Sequence, residues 1–598
     1  MNSVKKYYTD RIRQAEAILF SVKRKIYITG TLRLFVFLGI ILLAILLRNL
    51  SIGLLIGIIT LGLIPFVFLV VQFTRLQKKK EYLETSLRCD KEELRALDLD
   101  LSSFDGAPEE TDTSHSYSLD LDLFGNKNSL FQLINRTCTN YGRKTLIRFF
   151  KKTLNEQSEI EYRQEIVSEL KDKPDLLHHF RVTGLIKNGT PTDYAEIKEF
   201  VHAKNFIDNR KLWKTLLYIV PLIWIVFFIS LFFGYESFPI LVWLYIGTLT
   251  LSELPAKKVN RLQQFIGKKV AILQSYSGLI RILENETFLS EGLVKLQSRF
   301  SGKQKASRAI EKLATLANEL EQRGNTLIHI ILNPLMLWDV RKSIRIEEWK
   351  EETGEDLIVW IRNVGTFDSY VSLSSFGFNN PGYVFPTFTD SYFRMRGKEL
   401  GHPLMNPEVC IRNDVFLDKA SYFLVVTGAN MAGKSTYLRT VGVNFVLACM
   451  GVPVCAKELV LYPAELVTSL RTSDSLNDNE SYFFAELKRL KMIIDRLENG
   501  EKLFIILDEI LKGTNSVDKQ KGSLALVRQF VRLRSNGIIA THDLLLGELE
   551  KDFPEHIKNY RFEADIKDEQ LLFSYKLRLG IAQNMNASFL MKKMGITL

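Results

Sequence analysis

Cysteine is scarce. The chain has five (Cys89, Cys138, Cys410, Cys449 and Cys455) in 598 residues, with no CxxC pair and no Cys/His spacing of the zinc-binding kind. Neither a disulfide framework nor a zinc module organises such a chain. Proline (15) and glycine (34) are too few for a fibrous or low-complexity protein, and 46% hydrophobic with 25% charged residues is not a disordered composition. The charge excess is small: 79 Lys and Arg against 68 Asp and Glu, a formal +11. It permits an anionic partner without requiring one. A mean hydropathy of +0.01 averages very apolar segments with a polar remainder. At ~150 residues per domain the length allows roughly four domains.

Charge is missing altogether from four stretches. Asn49 to Thr74 has no charged residue in 26 positions, and Leu34–Leu47 has none in 14, with Arg33 and Arg48 at its borders. The first is long enough to cross a ~30 Å bilayer core as a helix, and the second reaches that length if Ile26–Leu32 extends it and Arg33 snorkels. A second pair follows, Thr215–Tyr235 and Ser237–Ser252, separated by Glu236. Both pairs read as helical hairpins. Lys5, Lys6, Arg11, Arg13, Lys23, Arg24 and Lys25 precede the first, and Arg75, Lys78, Lys79 and Lys80 follow it; Lys211, Lys214, Lys257, Lys258 and Arg261 flank the second. The positive-inside rule therefore returns both hairpins to the cytoplasmic side. The late start, the two spans and the lack of a small-residue cleavage site exclude a cleavable signal peptide. The expectation is a cytoplasmic machine held in the inner (cytoplasmic) membrane.

Asp90 to Asp122 carries 11 Asp or Glu against Lys91 and Arg95, with Gly106 and Pro108, and reads as a linker. Helical periodicity begins at Ser129 and resumes after the second hairpin, where Val259, Leu262, Phe265, Ile266, Leu273, Tyr276, Leu279, Ile280 and Leu283 recur at spacings near 3 and 4. Beyond about Ile411, short β-branched runs alternate with helices, namely Phe423–Thr427, Leu503–Leu507 and Gly537–Thr541. That alternation signals an α/β domain with a parallel sheet.

The chemistry sits at the ends of those runs. Gly428-Ala429-Asn430-Met431-Ala432-Gly433-Lys434-Ser435 is a GxxxxGK[ST] phosphate loop between a strand and a helical run from Thr436. Such a loop turns backbone N–H groups around phosphates, with Lys434 reaching the β/γ-phosphates and the Ser435 hydroxyl holding Mg²⁺. Leu503–Leu507 delivers Asp508 to the Mg²⁺ shell and Glu509 to the attacking water. Gly537-Ile-Ile-Ala-Thr541 ends in His542, placed to sense or stabilise the γ-phosphate. Together these predict ATP binding with Mg²⁺ and ATP hydrolysis.

Asn430-Met431 within the loop, Asp508-Glu-Ile-Leu-Lys-Gly-Thr514 and Ala540-Thr-His542 resemble the MutS family of DNA mismatch repair ATPases. Asp474-Ser-Leu476 with Ser481-Tyr-Phe483 is similar to the family's composite-site signature. Ser129–Thr137 with Tyr141–Leu146 looks like the start of its core helical domain. The resemblance covers about residues 124–206 and 256–598. It implies an ABC-type ATPase working as a homodimer, each site taking its phosphate loop from one copy and Ser481 from the other, with a helical lever coupling the site to a distant clamp. It also implies that the closing segment, with Asn584, Asn586 and Ser588, serves the dimer interface.

Departures from the family are equally definite. No Phe-x-Glu mismatch-reading domain is found, and an apolar hairpin stands in its place. The second hairpin falls among the lever helices, and 256–353 is short for a DNA clamp. Asn479 and Glu480 replace the usual signature residues, and Cys410 stands where relatives stack an aromatic on adenine. Basic stripes at Lys303, Lys305, Arg308 and Lys312, and at Arg143, Lys144 and Arg148, offer DNA or anionic lipid a contact.

The fold expected is therefore an α-helical core/lever domain plus an α/β P-loop (ABC-type) ATPase domain, with four transmembrane helices as two hairpins. Its divisions are a basic cytoplasmic N-terminus 1–25, hairpin 26–74, acidic linker 75–123, core helical domain 124–210, hairpin 211–254, lever and connector 255–400, and ATPase domain 401–598. The function expected is a membrane-anchored ATPase acting on DNA in repair. The alternative is a nucleotide-gated membrane scaffold or a transport-type ATPase with no DNA role.

Overall fold

The computed structural model describes residues 2–46, 52–186, 194–234, 238–267, 270–302, 304–324, 326–429, 431–471, 482–512, 514–567 and 570–583. Two long helices, α1 (Asn2–Leu46) and α2 (Ile52–Leu97), lie side by side. Their polar halves meet through Ala15, Val22, Leu83 and Leu87. The basic stretch 1–25 is thus no separate N-terminal region: one helix runs through it into the apolar run, and Arg11 and Lys23 face Asp90 and Glu84 at 3.5 and 3.2 Å.

The acidic stretch 75–123 is not a linker. Its first part continues α2 to Leu97, and the rest is an ordered strap with Leu101, Phe104, Tyr117, Leu121 and Leu123 buried. Its acids have found partners. Glu93 binds Arg136 (2.6 Å) and Arg181; Asp105 and Glu109 both bind Arg143 at 2.6 Å. Asp120 accepts the Thr468 hydroxyl and the Leu470 and Arg471 N–H groups. These pairings also answer the basic stripe at 143–148, where Arg143 is engaged within the protein.

Five helices between Leu130 and His202 lead to α3 (Arg210–Phe232) and α4 (Phe238–Glu253). Three more precede α5 (Ala306–Glu321), α6 (Thr326–Met336) and the 42-residue α7 (Trp338–Asn379). The periodic stripe Val259, Leu262, Ile266, Leu273, Leu279, Ile280 and Leu283 is buried in one helical core with Leu313 and Ala317 of α5 and Trp360 and Val364 of α7. By length and composition, α1, α2 and α3 could each cross a membrane; α4 with the helix after it, bent by 53°, is a fourth candidate.

Beyond α7 the described residues form two larger sheets and a two-stranded one. Thr387–Phe388 (β1), Met395–Leu400 (β2), Asn413–Leu417 (β3) and Glu458–Leu461 (β5) form a four-stranded sheet in the order β1-β5-β2-β3. Because β2 pairs with both β3 and β5, this unit begins before residue 401, the boundary expected from sequence. Phe423–Gly428 (β4), Glu465–Ser469 (β6), Leu503–Asp508 (β7), Asn536–Thr541 (β8), Ile557–Phe562 (β9) and Arg578–Leu579 (β12) form the second, in the order β12-β9-β4-β8-β7-β6. A hairpin, Ala564–Lys567 (β10) and Gln570–Phe573 (β11), leads into β12. Within the six-stranded sheet the pairings are parallel except at the edge, where β12 runs antiparallel to β9.

The middle strands β4, β7 and β8 are buried throughout, as a sheet covered on both faces requires. Side chains alternate. Leu424, Val426, Phe504 and Ile506 enter a core shared with α8 (Lys434–Cys449) and the strap, while Phe423, Val425, Ile505 and Leu507 face α9 (Tyr482–Glu498) and the helix Ser516–Arg532.

Candidate functional site

Neighbouring parallel strands end together. Val426 of β4 and Asp508 of β7 both pair with Ala540 of β8, so the loop after β4, the Asp508-Glu509 pair and His542 meet at one rim. The carboxyl ends of a parallel sheet are where such folds hold ligands. A cavity of about 510 Å³ opens there, lined by Ala429, Met431, Gly433, Lys434, Ser435, Thr436 and Glu509 among others. Ala432 is buried beneath the loop, and Gly428, at its base, has φ +153°. A Cβ on Gly428 would stand 2.6 Å from the Phe562 carbonyl of β9, so only glycine fits. Gly433, with φ +103°, turns the chain into α8. Asn430, the signature segment with Ser481, and the closing segment with Asn584, Asn586 and Ser588 lie outside the described residues.

Lys434 is 5% exposed, and its ammonium donates to the Gly428 and Ala429 carbonyls at 2.6 and 2.9 Å. Burial lowers its pKa, against Glu509 and Asp508. The Ser435 hydroxyl donates to Asp508 Oδ2 at 2.5 Å, and Asp508 Oδ1 is buried with no hydrogen-bond partner. Burial also pushes the Asp508 carboxyl up, against the Ser435 hydrogen bond and Lys512. A buried ammonium beside a buried half-satisfied carboxylate suits a phosphate and a divalent cation. Lys434 and the loop would hold the phosphates, and Ser435 with Asp508 the cation.

Glu509 adopts φ +55°, uncommon for a residue with a side chain, and its N–H bridges to the Ala540 carbonyl of β8 at 2.8 Å. Its carboxylate lies 3.4 Å from His542 Nδ1 and 3.8 Å from Lys512 Nζ. His542 Nε2 is in turn 3.3 Å from Lys519 Nζ. His542 therefore touches the carboxylate next to the site.

Sequence reasoning missed Tyr575, Met405, Val409, Ile411 and Asn413, which complete the cavity wall with Cys410. The Tyr575 carbonyl accepts from Asn413 at 2.9 Å, and its ring would meet a Cβ on Gly433 at 3.1 Å. Tyr575 stacks on Phe573 within an alternating apolar run, Phe573, Tyr575, Leu577 and Leu579, which reads as strand and not as site. Glu486 was missed as well: from α9 it accepts the N–H groups of Leu511 (2.5 Å) and Lys512 (3.1 Å), fixing the turn after Glu509.

Two family models match the chain: MutS domain III over residues 94–323 and MutS domain V over residues 424–593. The first begins inside the acidic stretch. The DNA mismatch repair protein MutS of Thermotoga sp. (strain RQ2) is 29% identical over 203 residues, 33% of this chain and 25% of the relative. MutS protein homolog 4 of Homo sapiens is 30% identical over 214 residues, 34% and 22% of the two chains. The DNA mismatch repair protein MutS of Clostridioides difficile (strain 630) is 24% identical over 507 residues, 77% and 52%. The chain thus spans about half the length of these relatives at most. With two domain models matched at separate stretches, and one relative aligned along three-quarters of it, this chain belongs to the MutS family.

Proposed function

We propose that this chain is an ATPase, held in the inner (cytoplasmic) membrane with its ATPase domain in the cytoplasm, that works as a homodimer and couples ATP turnover to a rearrangement on DNA in repair. The observation that carries the reading is the Ser435–Asp508 contact beside the glycine-bounded loop, with Glu509 next in sequence. Lys434 and the loop N–H groups bind the phosphates of ATP. Ser435 and Asp508 hold Mg²⁺, whose chemistry is to neutralise developing phosphate charge. Glu509 orients the attacking water, and His542 holds Glu509 in place. Ser481 of a second copy closes the site. The DNA role rests on relatives named as DNA mismatch repair proteins. The membrane reading rests on the uncharged runs and on the bare apolar faces of α1, α2 and α3.

The test is the ATPase rate of the full chain in nanodiscs, for wild type and Glu509→Ala, with and without homoduplex, mismatched and branched DNA at two salt concentrations. Glu509→Ala is expected to bind ATP and stall. Unchanged turnover in that variant overturns the catalytic assignment. Stimulation by DNA that weakens with salt supports the DNA role; turnover indifferent to every DNA overturns it.

A further inference from the structure

Between the charged helices α5 and α7 the chain makes a short apolar detour. α6 reads Thr-Leu-Ile-His-Ile-Ile-Leu-Asn-Pro-Leu-Met, with no Asp, Glu, Lys or Arg, and packs against both α3 and α4. At 11 residues it is too short to span a bilayer. Its outer face nevertheless leaves Ile330 45%, Ile331 51% and Met336 44% exposed, and α3, which it packs against, leaves Ile225, Val226 and Ile229 exposed too. Two of its polar groups have partners within the protein. Asn333 is fully buried against Asp339, and His329 faces Glu253 at 3.1 Å.

The backbone gives an independent sign. Pro334 has no N–H, so the Ile330 carbonyl loses its helical donor; the Tyr245 hydroxyl of α4 donates to it at 3.0 Å. The Pro334 carbonyl, in the last turn and lacking a helical donor of its own, accepts the Trp224 indole N–H of α3 at 3.1 Å. Pro221 likewise frees the Leu217 carbonyl within α3, and Arg341 of α7 donates to it at 2.8 Å. Water would hydrate such carbonyls freely, whereas hydrocarbon demands an internal donor for each. Depth agrees. Trp224 stands ten residues past Lys214, the last charge before it. At 1.5 Å per residue that is about 15 Å, half of a ~30 Å core.

We propose that α6 is a re-entrant membrane helix, leaving the cytoplasmic side after α5, seating Ile330 and Ile331 among lipid acyl chains beside α3 and α4, and returning into α7. The inference rests on the reading of α3 and α4 as a membrane hairpin. It makes the hairpin a three-helix unit and starts the long helix α7 from inside the lipid layer.

Full-length protein in nanodiscs of mixed phosphatidylcholine and phosphatidylglycerol, spin-labelled at one introduced cysteine, tests it. The positions are Ile331→Cys and Met336→Cys on α6, Ile225→Cys on α3 and Lys312→Cys on the water-facing side of α5, with the signal of the unsubstituted protein subtracted. Collision with oxygen reports lipid, and collision with a water-soluble nickel chelate reports water. Positions 331, 336 and 225 are expected to collide with nickel several-fold less than 312, and with oxygen more. Nickel-accessible 331 and 336 beside a protected 225 overturn the re-entrant helix and leave the hairpin standing. Nickel access at 225 as well overturns the hairpin reading itself.

Discussion

The Ser435 hydroxyl donates to Asp508 Oδ2 at 2.5 Å, tying the first turn of α8 to the carboxyl end of β7. With the other Asp508 oxygen buried and unpartnered, two oxygens surround a place for a hard cation. Asp508→Asn keeps the shape and removes the charge. The Mg²⁺ affinity that supports ATP turnover is expected to fall on the order of 10–100-fold, and EDTA to abolish turnover in the wild type. An unaltered Mg²⁺ requirement takes Asp508 out of the metal shell.

Glu486 acts on Glu509 through the backbone. It is 4% exposed and accepts two N–H groups from the turn that follows Glu509. Burial pushes its carboxyl up, against those two hydrogen bonds. Glu486→Ala strands both N–H groups, costing about 1–3 kcal/mol, and loosens the turn that aims the Glu509 carboxylate. Steady-state kinetics should show a lower kcat with little change in KM for ATP, and Glu486→Gln, which keeps an acceptor, should recover much of it. A rise in KM alone places Glu486 in ATP binding.

That the ends of β4, β7 and β8 share one rim was legible because fully buried strands announce themselves as unbroken apolar runs, and the polar residue that ends each run must face a cavity or water. Gly428, Ala429, Asp508, Glu509 and His542, at or just past the ends of those runs, follow that rule. The strap at 98–128 was not legible: its acid density reads as solvated, and nothing local shows that Arg143 pairs with its Asp105 or that Arg136 and Arg181 lie over its Phe104 ring. The start of the C-terminal unit was hidden for a similar reason, since β2 is held by pairing Met395 with Leu461 across a long separation. Tyr575 lies in an alternating apolar run and Glu486 on an amphipathic helix, so each reads as an ordinary part of its element and nothing local aims it at the site. α6 escaped notice because its apolar run is half the length that a span needs.

Glu93 joins three elements at one buried point. From α2 it meets Arg136 Nε at 2.6 Å and Arg181, and Asn379 at the end of α7 donates to it at 2.9 Å. Glu93→Ala leaves two guanidinium groups buried without their anion, for a loss of about 3–5 kcal/mol. Burial alone would raise this carboxyl, but Arg136 and Arg181 outweigh it and hold it below its ordinary value of 4.5. A carboxyl depressed in the folded state stabilises fully above its unfolded pKa, and that stability is lost as pH falls through the folded one. Thermal melts should therefore drop below about pH 4.5 in the wild type, with a shallower drop in Glu93→Gln. Parallel acid slopes for the two proteins remove Glu93 from the acid-sensitive joint.

His402 makes a second acid-sensitive switch beside the cavity, through a base instead of an acid. It lies half-buried between β2 and β3, with Nδ1 accepting the Leu404 N–H at 3.3 Å. Burial first, then the positive charge of Arg439, depress its imidazole from 6.5 to about 4. A base depressed in the folded state is protonated first in the unfolded chain, so stability is full above about pH 6.5 and declines as pH falls toward about 4. At ~1.4 kcal/mol per pKa unit, discounted for partial exposure, the loss is on the order of 2 kcal/mol. His402→Gln keeps an acceptor for Leu404 and cannot take up the proton, so its melting temperature should fall less than the wild type's between about pH 6.5 and 4.5. Because the same turn carries Met405, Val409 and Cys410 of the cavity wall, ATP affinity should weaken over the same pH range in the wild type and not in His402→Gln. Equal pH dependence in both proteins would mean that the imidazole is already free to protonate in the folded chain.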